Sequence, residues 1–269
     1  MIELLAAFNA LLPKDLGSRR AGGGLAYGAN PRQMLDIYAP RAAGNGRPVI
    51  IFFYGGAWSS GNRQGYGFVG RALAAKGFVV AVPDYRLVPE VEYPGFLEDA
   101  AAAVRWVRAH AGEYGGDGGR IVTMGHSAGA YIAAMLALDP GLLGNDRMAI
   151  RGLAGLAGPY DFLPLDDSAT IAAFGNWPDL AETQPVNHAA AGSPPALLLH
   201  GDADTRVKPR HTRALAERLR GAGSDARTHL YPGIGHASIL TSLAVPLRWR
   251  APVLADVVRF AGEVTDPSR

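Results

Sequence analysis

The chain has 269 residues, 48% of them hydrophobic, with 26 basic against 24 acidic side chains and a net charge of +2. That is enough apolar material for a sizeable core, in one large domain or two small ones. The near-balanced charge, with no lysine or arginine block, gives no reason to expect nucleic acid as a partner. There are no cysteines, which excludes disulfides, thiolate catalysis and cysteine-based zinc sites and fits a reducing, cytoplasmic setting.

The N-terminus, MIELLAAFNALLPKDLGSRR, lacks the positive start of a secretory signal, and Glu3 and Asn9 break its apolar stretch. It predicts a short amphipathic helix over about residues 2–12, ending at Pro13, whose apolar stripe (Leu4, Leu5, Phe8, Leu11, Leu12) is expected to pack across a cap or onto the body rather than face a membrane. Gln33 to Pro40 alternates enough for an early strand. Val49 to Phe53 and Phe78 to Pro83 are short continuous apolar runs, expected of strands covered on both faces. Glu98 to His110 is helical, because Ala100, Ala103, Val104 and Val107 recur at one-face spacing. Tyr114 to Gly119 is a turn cluster. Arg120 to Gly125 reads as a strand and Ala128 to Leu138 as a helix. The uncharged run Ile121 to Leu138 contains Gly125, His126, Ser127 and Gly129, so it reads as a buried strand and buried helix rather than a membrane span.

Further along, Leu153 to Ala157, Ala196 to His200 and Arg227 to Tyr231 are predicted strands. Pro209 to Arg220 and Pro252 to Ala261 are predicted helices. Strands alternating with helices predict an α/β fold: a mostly parallel central sheet with helices on both faces. With no internal repeat, low-complexity tract or dividing linker, the expectation is one domain over residues 1–269. The stretch Pro159 to Pro195 lacks a clear element and is read as a small cap-like insertion, in which Phe174 and Trp177 are either pocket walls or ordinary packing.

Gly125-His-Ser-Ala-Gly129 lies between the apolar strand and the apolar helix. This is the G-x-S-x-G elbow in the context that gives it meaning. The tight turn needs small residues on both sides, projects Ser127 above the sheet and points a helix N-terminus at the same spot. A serine hydroxyl at its ordinary pKa is a poor nucleophile, so it needs a base, and the base needs an orienting acid. On such a fold the order is serine, acid, histidine. Asp202 and Asp204 follow the strand ending at His200; Asp204 is preferred as the acid, since Asp202 could instead cap the turn. Of the seven histidines, only His236 combines a glycine-flanked loop with the right chain order. His126 points the wrong way round the elbow, and His200 is expected to be buried and hydrogen-bonded. The adjacent Gly55 and Gly56 that follow Val49 to Phe53 mark either a plain turn or a bare backbone loop held against something negative.

Together, Phe53-Tyr-Gly-Gly-Ala-Trp58, Val82-Pro-Asp-Tyr-Arg-Leu87, Gly125-His-Ser-Ala-Gly129, His200-Gly-Asp-Ala-Asp204 and Gly235-His236 resemble the α/β-hydrolase esterases. The nearest look is to the kynurenine formamidase-like carboxylesterases, close to the hormone-sensitive lipase group. The resemblance runs from about Leu35 to His236. It implies the α/β-hydrolase fold, no metal and no organic cofactor, and Asp204 as the acid. It also implies an oxyanion hole made by the N–H groups of Gly55, Gly56 and Ala128. The family usually has histidine where this chain has Tyr54, so the bracing of that loop is expected to differ.

The reading is therefore a serine carboxylesterase that cleaves small carboxylic esters through an acyl-enzyme, with Ser127, Asp204 and His236 as the triad. Tyr54, Trp58 and Trp177 are candidate substrate contacts. An arylformamidase acting on N-formylkynurenine-like amides is the alternative, since the same triad serves both. A purely binding role would fit a chain that had lost a triad member. The expected partner is a small-molecule ester, with no stable membrane insertion, and the chain is a monomer or a dimer.

Overall fold

The computed structural model describes Asn9 and residues 11–268. Eight strands form one sheet: β1 (Ser18–Ala26), β2 (Met34–Pro40), β3 (Arg47–Phe53), β4 (Val79–Pro83), β5 (Gly116–His126), β6 (Ile150–Leu156), β7 (Ala196–Gly201) and β8 (Ala226–Tyr231). Their order is β1-β2-β4-β3-β5-β6-β7-β8. From β4 to β8 every pairing is parallel, while β1 and β2 run antiparallel at one edge. The central strands carry helices on both faces, which is why Val49 to Phe53 and Val79 to Val82 are apolar without alternation and fully buried.

Helices Gly67–Ala74 and Val253–Val264 touch one another on one face, and Gly95–His110 packs against Ala128–Leu138 on the other. All of Ala128–Leu138 is buried. A helix that is apolar all round suits a core position, so the uncharged stretch from Ile121 belongs inside the protein. Among the described residues no helix is long and apolar enough to cross a membrane.

Several elements differ from their expected bounds. β1 was not expected, because SRRAGGGLA has neither alternation nor β-branched residues; it forms by pairing with β2, with two register shifts along it. Helix Gly67–Ala74 was also missed. Gly67 and Gly70 lower its intrinsic propensity, but a Cβ at Gly70 would stand 2.3 Å from the Tyr38 ring, so close packing decides that helix. The turn predicted over Tyr114 to Gly119 narrows to Gly115, at φ 81°, and β5 takes up the rest. His236 does not sit in an open loop but begins the short helix His236–Thr241. The helix expected over residues 2–12 lies, apart from Asn9, Leu11 and Leu12, outside the described residues.

The stretch from residue 159 to 195 is built of small pieces. Asp167 caps helix Ser168–Phe174 by accepting from the N–H groups of Ala169 (2.9 Å) and Thr170 (3.0 Å). Two short 3-10 turns, Leu180–Thr183 and Pro185–His188, follow.

The tightest joint is where β5 turns into helix Ala128–Leu138. A Cβ at Gly125 would lie 2.1 Å from the carbonyl oxygen of Gly129, and one at Gly129 would lie 2.0 Å from that of Phe53. Both neighbours are backbone and cannot step aside. Gly129→Ala is therefore expected to cost about 1–3 kcal/mol or more by overpacking. Gly112→Ala, where a Cβ meets nothing within 4 Å, should stay within about 0.5 kcal/mol of the parent chain. Urea denaturation of the pair checks this, and equal midpoints would contradict it.

Candidate active site

Ser127 sits at the elbow with φ 55° and ψ −126°, a region that costs a non-glycine residue about 1–3 kcal/mol. The turn is held by its N–H, which donates to the Leu156 carbonyl (2.9 Å), and by its own carbonyl, which accepts from Ala130 (2.9 Å). The hydroxyl is thereby lifted out of the β5 ladder, and Ala128 opens the helix beside it. First-turn N–H groups have no partner within their own helix.

Two long-range contacts complete the relay. Ser127 Oγ lies 2.9 Å from His236 Nε2, and His236 Nδ1 lies 2.7 Å from Asp204 Oδ2. Asp204 is 3% exposed. Its other oxygen accepts from the N–H groups of Arg206 (2.9 Å) and Val207 (3.0 Å). Burial alone would raise the Asp204 pKa. Hydrogen bonds from His200 and His236, and the backbone bond from Val207, outweigh it and hold the carboxyl well below the usual range. Asp202 serves a different end, accepting from Gly233 N–H at 2.7 Å and so tying the turn that precedes His236 to the end of β7.

Two histidines set aside in the sequence lie in this cluster. His200 is fully buried, with Nδ1 2.7 Å from Thr212 Oγ1, Nε2 2.8 Å from the Val207 carbonyl and 3.3 Å from Asp204 Oδ2. Its spacing of four residues before Asp204 was the available signal. His126 Nε2 lies 2.9 Å from the His236 carbonyl, and the two rings are 4.8 Å apart. Burial and the adjacent His236 push the His126 pKa down to about 3. A neutral ring thus supports the backbone of His236.

The glycines after β3 meet the elbow directly. A Cβ at Gly55 would stand 2.9 Å from Ser127 Cβ. Beneath the loop, the Tyr54 carbonyl accepts from Tyr85 Oη at 2.8 Å and the Gly55 carbonyl from Tyr66 Oη at 3.3 Å. In trans peptides the N–H points opposite the carbonyl. The N–H groups of Gly55 and Gly56 are therefore turned away from this tyrosine layer. Gly56, Ala57 and Trp58 continue at φ 143°, 51° and 55°, and the Gly56 carbonyl accepts from Ser59 (3.1 Å) and Ser60 (3.0 Å).

The three expected substrate contacts occupy different places. Tyr54 is fully buried under the loop, stacked between Tyr66 (5.1 Å) and Tyr85 (4.9 Å). Its hydroxyl donates to Asp84 Oδ1 (2.8 Å) and accepts from Arg32 (3.1 Å), so it braces the loop from below and turns no surface outward. Trp58 is buried against Phe174 (4.8 Å) and Tyr131 (5.4 Å). Trp177 is half-buried, packs on Tyr93 at 4.9 Å and donates from Nε1 to Glu182 at 3.0 Å. Among the described residues no group of three His, Asp or Glu side chains is arranged to hold a metal ion.

This arrangement of a lifted hydroxyl, an oriented imidazole and two N–H groups turned away from the tyrosine layer is suited to acyl transfer. A family model described as BD-FAE matches residues 35–219. Carboxylesterase NlhH of Mycobacterium tuberculosis is 34% identical over 236 residues, covering 79% of this chain and 73% of its own. Esterase LipC of the same species is 31% identical, covering 78% of this chain and 58% of its own. A probable isoprenylcysteine alpha-carbonyl methylesterase of Arabidopsis thaliana is 30% identical, covering 83% of this chain and 52% of its own. The chain thus spans between about half and two thirds of the length of the latter two relatives. The apo form of Thermogutta terrifontis esterase 2 superposes with a TM-score of 0.76 at 25% identity, over 94% of this chain and 96% of that one.

The buried histidines set a pH dependence of stability. Burial and the adjacent Arg210 push His211 down to about 4, alongside His126 at about 3. Below pH about 6.5 the unfolded chain binds a proton at each ring that the folded chain refuses. Stability must therefore fall on acidification from about pH 6.5 towards pH 4, by about 1.4 kcal/mol per pH unit for His126, with His211 acting in the same direction. His126→Gln should flatten that slope in urea titrations across this range, and an unaltered slope would contradict the assignment.

Proposed function

Since the chain belongs to the BD-FAE family and has the α/β-hydrolase fold, we propose that it is a serine carboxylic-ester hydrolase acting on small esters. The observation that carries this reading is the unbroken relay from Asp204 through His236 to Ser127, at 2.7 and 2.9 Å.

In the proposed cycle Ser127 Oγ attacks the ester carbonyl carbon as His236 Nε2 takes its proton. Asp204 fixes the imidazole tautomer and stabilises the imidazolium. The negative charge that develops on the carbonyl oxygen is met by the N–H groups of Gly55, Gly56 and Ala128. A donor of this kind typically lowers the barrier by about 2.7–4 kcal/mol. His236 then gives the proton to the departing alkoxide. A water, deprotonated by the same nitrogen, attacks the acyl-enzyme and releases the acid. The kynurenine formamidase-like resemblance drawn from the motifs relies on the same triad. The relatives are named as esterases, and the formamide-cleaving alternative gains no support from them.

The reading favours a small acyl group. Tyr131 lies one helical turn beyond Ser127, and Trp58 two residues beyond Gly56. With Phe162 and Phe174 they form a closed aromatic cluster, in which Phe174 lies 5.3 Å from Tyr131 and 5.2 Å from Phe162. Trp58 Nε1 and Tyr131 Oη are buried there with no hydrogen-bond partner among the described residues. Each such group costs about 1–3 kcal/mol, a cost that apolar packing alone would not have required.

Ser127→Ala is expected to lower kcat by about 10⁴–10⁶ with the fold intact, measured on a short p-nitrophenyl ester beside a circular dichroism melt; near-normal turnover would end the proposal. In a series of esters of increasing acyl length, kcat/KM should fall beyond short chains. Phe174→Ala should shift the optimum to longer acyl groups, and the same chain-length profile in both proteins would show that the cluster does not bound the site.

A further inference from the structure

Away from the triad, where β2 meets helix Gly67–Ala74, a cavity of about 180 Å³ is lined by Lys14, Arg20, Arg71, Asp36, Tyr38 and Gln64, with Asn9 and Gly67. Glycine at position 67 helps keep it open: a Cβ there would stand 2.9 Å from Tyr38 Oη and 3.2 Å from Asn9 Nδ2.

Among the described residues the charges around this cavity do not balance. Asp36 is the one acidic residue among the described residues that lines it. Asp36 Oδ1 already accepts from Arg20 (2.6 Å), Arg63 (3.1 Å) and the Gly24 N–H (3.0 Å). Lys14 and Arg71 are left without a carboxylate, since among the described residues neither forms an ion pair. The Lys14 ammonium donates to the Asn9 carbonyl. Arg71 reaches the Ser18 carbonyl at 3.5 Å and lies over the Tyr38 ring at 5.9 Å. Both cations line the same cavity; desolvation, and after it the Arg71 charge, lower the Lys14 pKa from its ordinary value. Two like charges held over one polar cavity repel, and an anion between them reverses the sign of that term. The remaining groups, the Tyr38 hydroxyl and the Gln64 amide, can both donate.

We propose that this cavity binds a small oxyanion of the phosphate class, as the free ion or as a phosphomonoester, through Lys14 and Arg71 with donors from Tyr38 and Gln64. Arg guanidinium and Lys ammonium groups suit phosphate as fork and point charge respectively. The site is separate from the ester site and does not rest on that reading. It is linked to it by one relay: Arg63 bridges Asp36 and Asp84, and Asp84 accepts from Tyr54 beneath the glycine loop.

Isothermal titration calorimetry at constant ionic strength, with chloride as the balancing salt, tests this. Inorganic phosphate and glycerol 1-phosphate are titrated separately into the full chain. Saturable binding of either is expected, and the tighter of the two shows whether the site prefers the free ion or the phosphomonoester. Arg71→Gln and Lys14→Gln should each weaken it by about tenfold or more, the loss of one charge-assisted hydrogen bond. Arg227→Gln, whose partners are Asp225 and Glu263, should bind as the parent does. Lys14 is exposed, so its variant reports on binding even if Arg71→Gln proves less stable. Non-saturable heats with both ligands, or parent-like affinity in Lys14→Gln, would overturn the proposal.

Discussion

The rest of the site depends on one backbone constraint, the placement of Ser127 in a left-handed conformation between β5 and its helix. An L-residue does not rest at φ 55° and ψ −126° unless its surroundings over-determine it. Here β6 holds the serine N–H, and the glycine at each side of the turn lets backbone approach backbone at distances no side chain permits. The same closeness brings Gly55 against Ser127. The elbow therefore sets the position of the hydroxyl, the direction of the helix and the place of the glycine loop together.

Two buried carboxylates hold what the elbow leaves free. Asp204 fixes His236 from one side of the sheet's C-terminal edge, and Asp84 fixes the glycine loop from the other. Asp84 takes hydrogen bonds from the Tyr54 hydroxyl (2.8 Å) and the Arg63 N–H (2.6 Å) and pairs with the Arg63 guanidinium. Buried charges of this kind add little net stability when complete, but removing one partner leaves an uncompensated charge costing about 3–5 kcal/mol. Their contribution is geometric: they make one loop position far better than its neighbours. Tyr54 is the residue through which this chain ties that loop down, in stacking and hydrogen bonding at once.

The apolar core needed no such devices, and that is why it was readable. β3, β4, β5, β7 and the helices Gly95–His110, Ala128–Leu138, Arg210–Gly221 and Val253–Val264 announce themselves by continuous apolar runs or one-face spacing. Elements whose existence rests on neighbours were not readable. β1 is glycine-rich and exists as a partner of β2. Helix Gly67–Ala74 carries two glycines because Tyr38 occupies the space their side chains would need. Trp58, Tyr131, Phe162 and Phe174 come from four separate segments, and nothing in their spacing says that they meet.

The sequence by itself determined the alternation of strands and helices, the elbow at Ser127 and the chain order in which an acid and a histidine follow it, because each depends on residues close together in the chain. It preferred Asp204 to Asp202 without showing what either touches, set His200 and His126 aside and left Tyr54 as a candidate substrate contact. Only the tertiary structure shows which of these side chains meet, since hydrogen bonds spanning 32 and 109 positions depend on where strands end in space. Asp204 meets His236 because β7 and β8 are parallel neighbours, a pairing set by the packing of the whole sheet.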